Sequence, residues 1–194
     1  SSFSQKLSIV FYSLRIPKLI QILIDMFDPI QIMERAKTSK KHLALLNFGL
    51  ARMIPFNKPH GFKIIELGDD FVKVKIPYKR INFNHIKGVH ACALATASEY
   101  STGLVLLNKL NAKAYRIIMQ KMEMNYHYQG KMDVVVTYEL TEEWLNANIL
   151  DPLKTEESVV VNCQVKSHDT EGNHITTGNI YWHVKPWNKV KTKA

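Results

Sequence analysis

Residues 91–108 read Ala-Cys-Ala-Leu-Ala-Thr-Ala-Ser-Glu-Tyr-Ser-Thr-Gly-Leu-Val-Leu-Leu-Asn, and this stretch limits the fold more than any other. It predicts one long helix with small residues on most faces. Small side chains all round let neighbouring elements come close, so the helix is expected to be buried. A single side chain in it, Glu99, is formally charged at neutral pH.

The flanking sequence has a different period. Residues 62–67 and 71–76 read as strands: Val72, Val74 and Ile76 share one face while Lys73 and Lys75 share the other. Gly68-Asp69-Asp70 makes the turn between them. A loop over 77–89 carries Asn82, Asn84, His85 and Gly88. After the helix, strands are expected over 115–127, 132–140, 158–168 and 174–185, with a short helix within 141–148. Thr170-Glu171-Gly172-Asn173 suits a hairpin turn. A strand pair, one long helix and then successive antiparallel strands predict an α+β domain with the sheet curled over the helix.

Residues 1–57 read as a helical extension. Leu7, Val10, Phe11 and Leu14 fall at helical spacing, as do Leu19, Ile22, Leu23 and Met26 after Pro17. Leu43, Leu46 and Leu50 predict a further helix ending before Pro55. The apolar faces with Lys6, Arg15 and Lys18 beside them allow peripheral membrane contact. Asp25, Asp28 and Glu34 oppose an anionic surface and favour packing on the domain or on a second subunit. Residues 58–187 form the expected domain, and 188–194 a basic tail.

The chain has 194 residues and a hydrophobic content of 46%, enough for one full core. Its formal net charge of +9 favours anionic partners. No zinc-finger spacing or aromatic-basic RNA-binding pattern occurs, so nucleic acid is not the expected partner. Cys92 and Cys163 are too few for a disulfide framework, and the opening residues show no clear secretory leader. A reducing, cytoplasmic location is therefore expected.

Glu99 is the candidate for chemistry. A carboxylate on a helix buried by a sheet is costly unless it has partners or a purpose. Partial burial would raise its pKa and make it a better base near neutral pH. The plainer reading puts Glu99 on a narrow solvated stripe with Cys92, Thr96, Thr102 and Leu106, which carries no other charge. The helix start adds a second element. Amides near His90, Ala91 and Cys92 lack intrahelical acceptors, and the helix dipole adds positive character there. Such a place can polarise a carbonyl and hold an oxyanion. Eight residues separate Ala91 from Glu99, roughly 12 Å of helix. One helix can hardly serve one carbonyl with both. Two helices side by side in a twofold dimer can.

The run Asn84-His85-Ile86-Lys87-Gly88-Val89-His90-Ala91-Cys92-Ala93-Leu94, followed by Glu99, resembles hotdog-fold thioesterases of the phenylacetyl-CoA thioesterase type, and most of all their uncharacterised thioesterase-like relatives. Pro55 to Gly61, Tyr115-Arg116, Asn125-Tyr126-His127 and Tyr181 to Pro186 fit the same group. The resemblance spans about residues 45–187. It implies an α+β hotdog fold, with a curled antiparallel sheet wrapped around one long central helix, and a homodimer whose further association into a tetramer is left open. It implies hydrolysis of an acyl-CoA or related thioester, with coenzyme A as part of the substrate and no metal or redox cofactor. Glu99 would be general base or nucleophile, the Ala91 amide would polarise the thioester carbonyl, and His90 and Asn84 would orient the site. Lys87 and Gly88 would lie near the coenzyme A moiety, with Lys79 or Arg80 as other phosphate contacts. Two positions depart from the pattern: Lys87 stands where glycine is more usual, and Cys92 where a second small residue is common.

Other chemistries find weaker support in these residues. Cys92 at a helix start can be an activated thiolate with His90 as its base, although buried cysteine is most often a small core residue. His85 with His90, and His168 with His174, lack the companions a zinc site needs. A hydratase would need a His90-centred pair. A noncatalytic acyl-binding dimer built on the same shell is the strongest rival.

Overall fold

The computed structural model describes residues 29–191. The expected helices over 7–14 and 19–26, and residues 192–194 of the basic tail, lie outside the described residues.

Two helices open the described chain, α1 (Pro29–Ala36) and α2 (Lys40–Met53). Ser39 caps α2, its hydroxyl accepting from the His42 amide. Strands β1 (Lys63–Leu67) and β2 (Phe71–Ile76) follow, then the central helix α3 (Ala91–Lys109). The rest is β3 (Tyr115–Tyr126), β4 (Val134–Glu139), a short helix α4 (Glu142–Leu145), β5 (Val159–Asp169) and β6 (His174–Pro186). Among the described residues no helix is long and apolar enough to cross a membrane.

The six strands make one antiparallel sheet in the order β1-β2-β4-β5-β6-β3. Side chains alternate along each strand. In β5, Val161, Cys163 and Val165 are buried while Asn162, Gln164 and Lys166 face outward. The buried face receives α3, which packs on every strand except β1; α2 packs on β1.

The curled, wrapped sheet expected above is not observed. The sheet is open: β1 and β3 are its two edges and do not pair with each other. The helix lies across one face. The physical reason is that closure has no driving force here. On the central strands β5 and β6 the outward face is mostly polar and tolerates water, and α2 packs at the β1 end. The α+β class stands.

Helix α3 is buried as its composition predicts. Leu104, Val105 and Leu106 are fully covered, each burial contributing about 1.5–3 kcal/mol. Its buried hydroxyls do not go unpaired: Ser98 donates to the Leu94 carbonyl at 3.0 Å and Ser101 to the Ser98 carbonyl at 3.0 Å. The Thr102 hydroxyl also accepts from the Trp182 indole N–H at 3.0 Å. Gly103 is what lets that indole lie so close: a Cβ there would meet the Trp182 ring at 3.0 Å.

Candidate functional site

Among the described residues, cavities along α3 divide Glu99, His90, Ala91 and Asn84 among them. Glu99 lines the largest, of about 580 Å³, between α2, α3 and the edge strand β3. Its walls are mostly apolar: Leu50, Met53, Leu107, Ile117, Met119 and Trp182 among them. The Glu99 carboxylate is half-buried and has no hydrogen bond or ion pair among the described residues. Burial alone pushes its pKa above the ordinary glutamate value. Next to it in sequence and in the same cavity, burial and then the Glu99 charge hold the Tyr100 phenol protonated. The solvated-stripe alternative does not survive, because Thr102 and Leu106 are fully buried.

The helix start is capped in an unusual way. The His90 ring accepts from the Cys92 amide through Nδ1 at 3.0 Å. The His90 carbonyl accepts from the Ala93 and Leu94 amides at 2.9 and 3.1 Å. These bonds use up the first turn's donors except one. The Ala91 N–H has no acceptor among the described residues, and Ala91 is exposed. His90 thus shapes the helix start, and its cap leaves free the amide expected to meet a carbonyl.

Asn84 holds the preceding loop. Its Oδ1 accepts from the Ile86 and Gly88 amides at 3.1 and 2.8 Å. Lys87 in that loop has φ of 60°, the left-handed region that glycine adopts without a steric penalty. Glycine would take this loop conformation freely, whereas lysine holds it at a local cost. Gly88 is buried beneath Gln129, whose side chain a Cβ would meet at 2.8 Å. Asn84 and Ala91 border one cavity, of about 350 Å³, together with Tyr126, whose hydroxyl donates to the Ala91 carbonyl at 3.3 Å. His90 and Cys92 border another, of about 240 Å³, walled by Phe56, His60 and Phe83. The structure therefore brings Asn84 and Ala91 together and sets Glu99 apart from them. Lys87 and Gly88 line neither the Glu99 cavity nor the one beside Ala91.

Sequence reasoning missed Asn82. It is 1% exposed and ties the loop to two other segments. Its amide donates to the His60 and Pro77 carbonyls, both at 2.9 Å, and its Oδ1 meets His60 Nδ1 at 3.0 Å. Its own carbonyl accepts from the His90 amide at 2.7 Å, so it sets the entry to α3. Asn82 and Asn84 differ in nothing a sequence displays; only burial separates them. Asn82→Ala is expected to lower stability by about 1–3 kcal/mol, since two part-buried carbonyls lose their donor. Urea denaturation reads this, and a loss below about 0.5 kcal/mol would mean that water substitutes for the amide.

Among the described residues no three His, Cys, Asp or Glu side chains converge as a metal site would require. Cys92 is exposed and Cys163 buried, and neither is bonded.

No curated protein matches the chain. Solved structures do. A protein of unknown function from Pseudomonas aeruginosa, a probable thioesterase, is 19% identical with a TM-score of 0.68, over 74% of this chain and 95% of that one. A protein of unknown function from Chlorobaculum tepidum is 14% identical with a TM-score of 0.63, over 81% and 96%. A thioesterase from Haemophilus influenzae is 14% identical with a TM-score of 0.58, over 74% and 90%. At such identities the likeness is one of fold, and it agrees with the resemblance to hotdog thioesterase-like proteins. The model of a domain of unknown function, DUF4442, matches residues 43–184, which include the helix start, Glu99, β1 to β5 and β6 up to Val184. The chain belongs to the DUF4442 family.

Proposed function

We propose that the chain hydrolyses an acyl thioester, acyl-CoA or a close relative, with Glu99 as general base. The observation that carries this reading is the unpaired, half-buried Glu99 carboxylate in an apolar cavity. The thioesterases that share the fold support it. Glu99 takes a proton from water, and the oxygen of that water attacks the thioester carbonyl. The oxyanion so formed lies against an Ala91 N–H. The carbon–sulfur bond then breaks, and the thiolate takes the proton back from Glu99. Direct attack by the carboxylate, through an anhydride that water opens, uses the same residues.

Glu99 and Ala91 of one chain are too far apart to share a carbonyl, so the reading requires a dimer. The amide is supplied by Ala91 of the partner subunit. Strand β3 favours this: it is a sheet edge, and it lines the Glu99 cavity. A second copy paired there would bring its own helix start towards that cavity. His90 and Asn84 act by fixing that start, and Lys87 meets the carrier from the loop.

The separation of the two groups within one chain also favours a second reading, a dimer that binds acyl-CoA or lipid without turnover. A panel of short, medium, long and aromatic acyl-CoAs separates the two. Thiol release on at least one is expected, and binding with no release on any would leave the second reading standing.

A further inference from the structure

Five side chains with a nitrogen or oxygen atom line the Glu99 cavity: Asn57, Thr96, Glu99, Tyr100 and Trp182. Two of them are already paired. The Thr96 hydroxyl donates to the Cys92 carbonyl at 2.8 Å, and the Trp182 indole N–H to the Thr102 hydroxyl at 3.0 Å. Besides Glu99, that leaves Tyr100 and Asn57. Each is only 7% exposed, yet neither side chain makes a hydrogen bond to any described residue. Their polar atoms are not sealed in either. Among the described residues the one side-chain nitrogen or oxygen wholly covered without a partner is Arg116 Nε. The Tyr100 hydroxyl and the Asn57 amide therefore keep some open surface, and the space these residues border is cavity. Both also line a cavity of about 490 Å³ between α2 and β1, as Leu50 does, so they stand in the partition between two hollows.

Tyr100 also lies near the reacting end. It follows Glu99 on α3, and a charge that acts on the phenol must be close to it. Burial first, and then that charge, keep the phenol protonated, so it is a standing donor. Unpaired polar groups on an otherwise apolar wall select what fills the cavity. A plain hydrocarbon chain laid against them strips away water and returns nothing, whereas a chain with a matching oxygen restores the bonds. Sites built to hydrogen-bond a substrate hydroxyl reject the analogue without it far more strongly than apolar pockets sort one methylene from another.

We propose that this cavity selects acyl groups carrying a neutral oxygen substituent, a hydroxyl or a keto group, close to the thioester carbonyl. The substituent accepts a hydrogen bond from the Tyr100 phenol, and the Asn57 amide is its second partner. The thioester and the position of its carbonyl rest on the function proposed above.

Calorimetric titration of Glu99→Gln protein reads the selectivity without turnover. The probes are decanoyl-CoA, both enantiomers of 3-hydroxydecanoyl-CoA, 3-oxodecanoyl-CoA and 10-hydroxydecanoyl-CoA. At least one 3-substituted thioester is expected to bind about tenfold or more tighter than decanoyl-CoA, and the 10-hydroxy compound is not. Adding Tyr100→Phe should remove most of that advantage and leave decanoyl-CoA bound as tightly or more tightly, because an unpaired donor is gone. The melting temperature should hold, since the phenol has no partner among the described residues to lose. Asn57→Leu should act in the same direction and is a second, independent variant. Equal affinity for the plain and 3-substituted thioesters, an advantage confined to the 10-hydroxy compound, or a preference that survives both variants overturns the proposal. Turnover of the parent separates the two readings. Thiol release without any preference sinks the selectivity and leaves the hydrolase standing; a Tyr100-dependent preference with no release on any probe does the reverse.

Discussion

Ala91→Pro is expected to reduce thioester turnover by about a hundredfold to a thousandfold and to leave the fold intact. Proline removes the Ala91 N–H, the one first-turn donor that the His90 cap leaves unused. Proline is well tolerated at the first position of a helix, where no intrahelical bond is lost. The residue before it must be extended, and His90 already is, with φ −65° and ψ 138°. Few backbone donors can be deleted so cleanly. The measurement is kcat/KM on decanoyl-CoA beside a thermal melt. Ala91→Gly keeps the N–H and should stay within a few-fold of the parent. Unchanged turnover in the proline variant would show that this amide does not face the reacting carbonyl.

Glu99→Gln should lower kcat by about a hundredfold or more and make the protein more stable at neutral pH. The two effects have one cause. Burial raises the Glu99 pKa, so the folded protein holds the Glu99 proton more tightly than the unfolded chain does. Stability from this group is present below the unfolded glutamate value of about 4.3 and is lost as pH rises through the raised folded value. At neutral pH the charged carboxylate is therefore a liability, and glutamine relieves it. The stability difference between parent and variant should shrink as pH falls below about 4. The parent's activity should fall on the acid side at a pH above the ordinary glutamate value. Urea denaturation at several pH values, set beside kcat, checks both. A variant that is both inactive and less stable at pH 7 would make Glu99 a structural residue.

Much of the architecture was legible because it depends on local periodicity. The alternation of Val72, Val74 and Ile76 marked β2, and the run of small residues marked α3 almost to the residue. The extent of curl was not legible. It depends on whether two edges far apart in sequence meet, and no local pattern encodes that. At the site, Glu99 stood out as the lone charge of residues 91–108, and the structure gives it a half-buried setting without a partner among the described residues. Asn82 stayed hidden because its importance comes from its meeting His60 and Pro77 in space. The His90 cap was hidden for a related reason: histidine is not among the side chains that ordinarily announce a helix start.

The strand order also sets a schedule for synthesis. Among the described residues strand β3 pairs with β6 and with no other strand, yet about sixty residues of chain separate their C-terminal ends. At ribosomal rates of roughly 5–20 residues per second, β3 leaves the exit tunnel several seconds before the strand that completes it. Throughout that interval twelve residues with Ile117, Ile118, Met119, Met122 and Met124 have both edges unsatisfied. The nascent chain is thus most vulnerable to wrong pairing in the segment that later walls the Glu99 cavity, and a truncated chain lacking β6 would keep that hazard permanently.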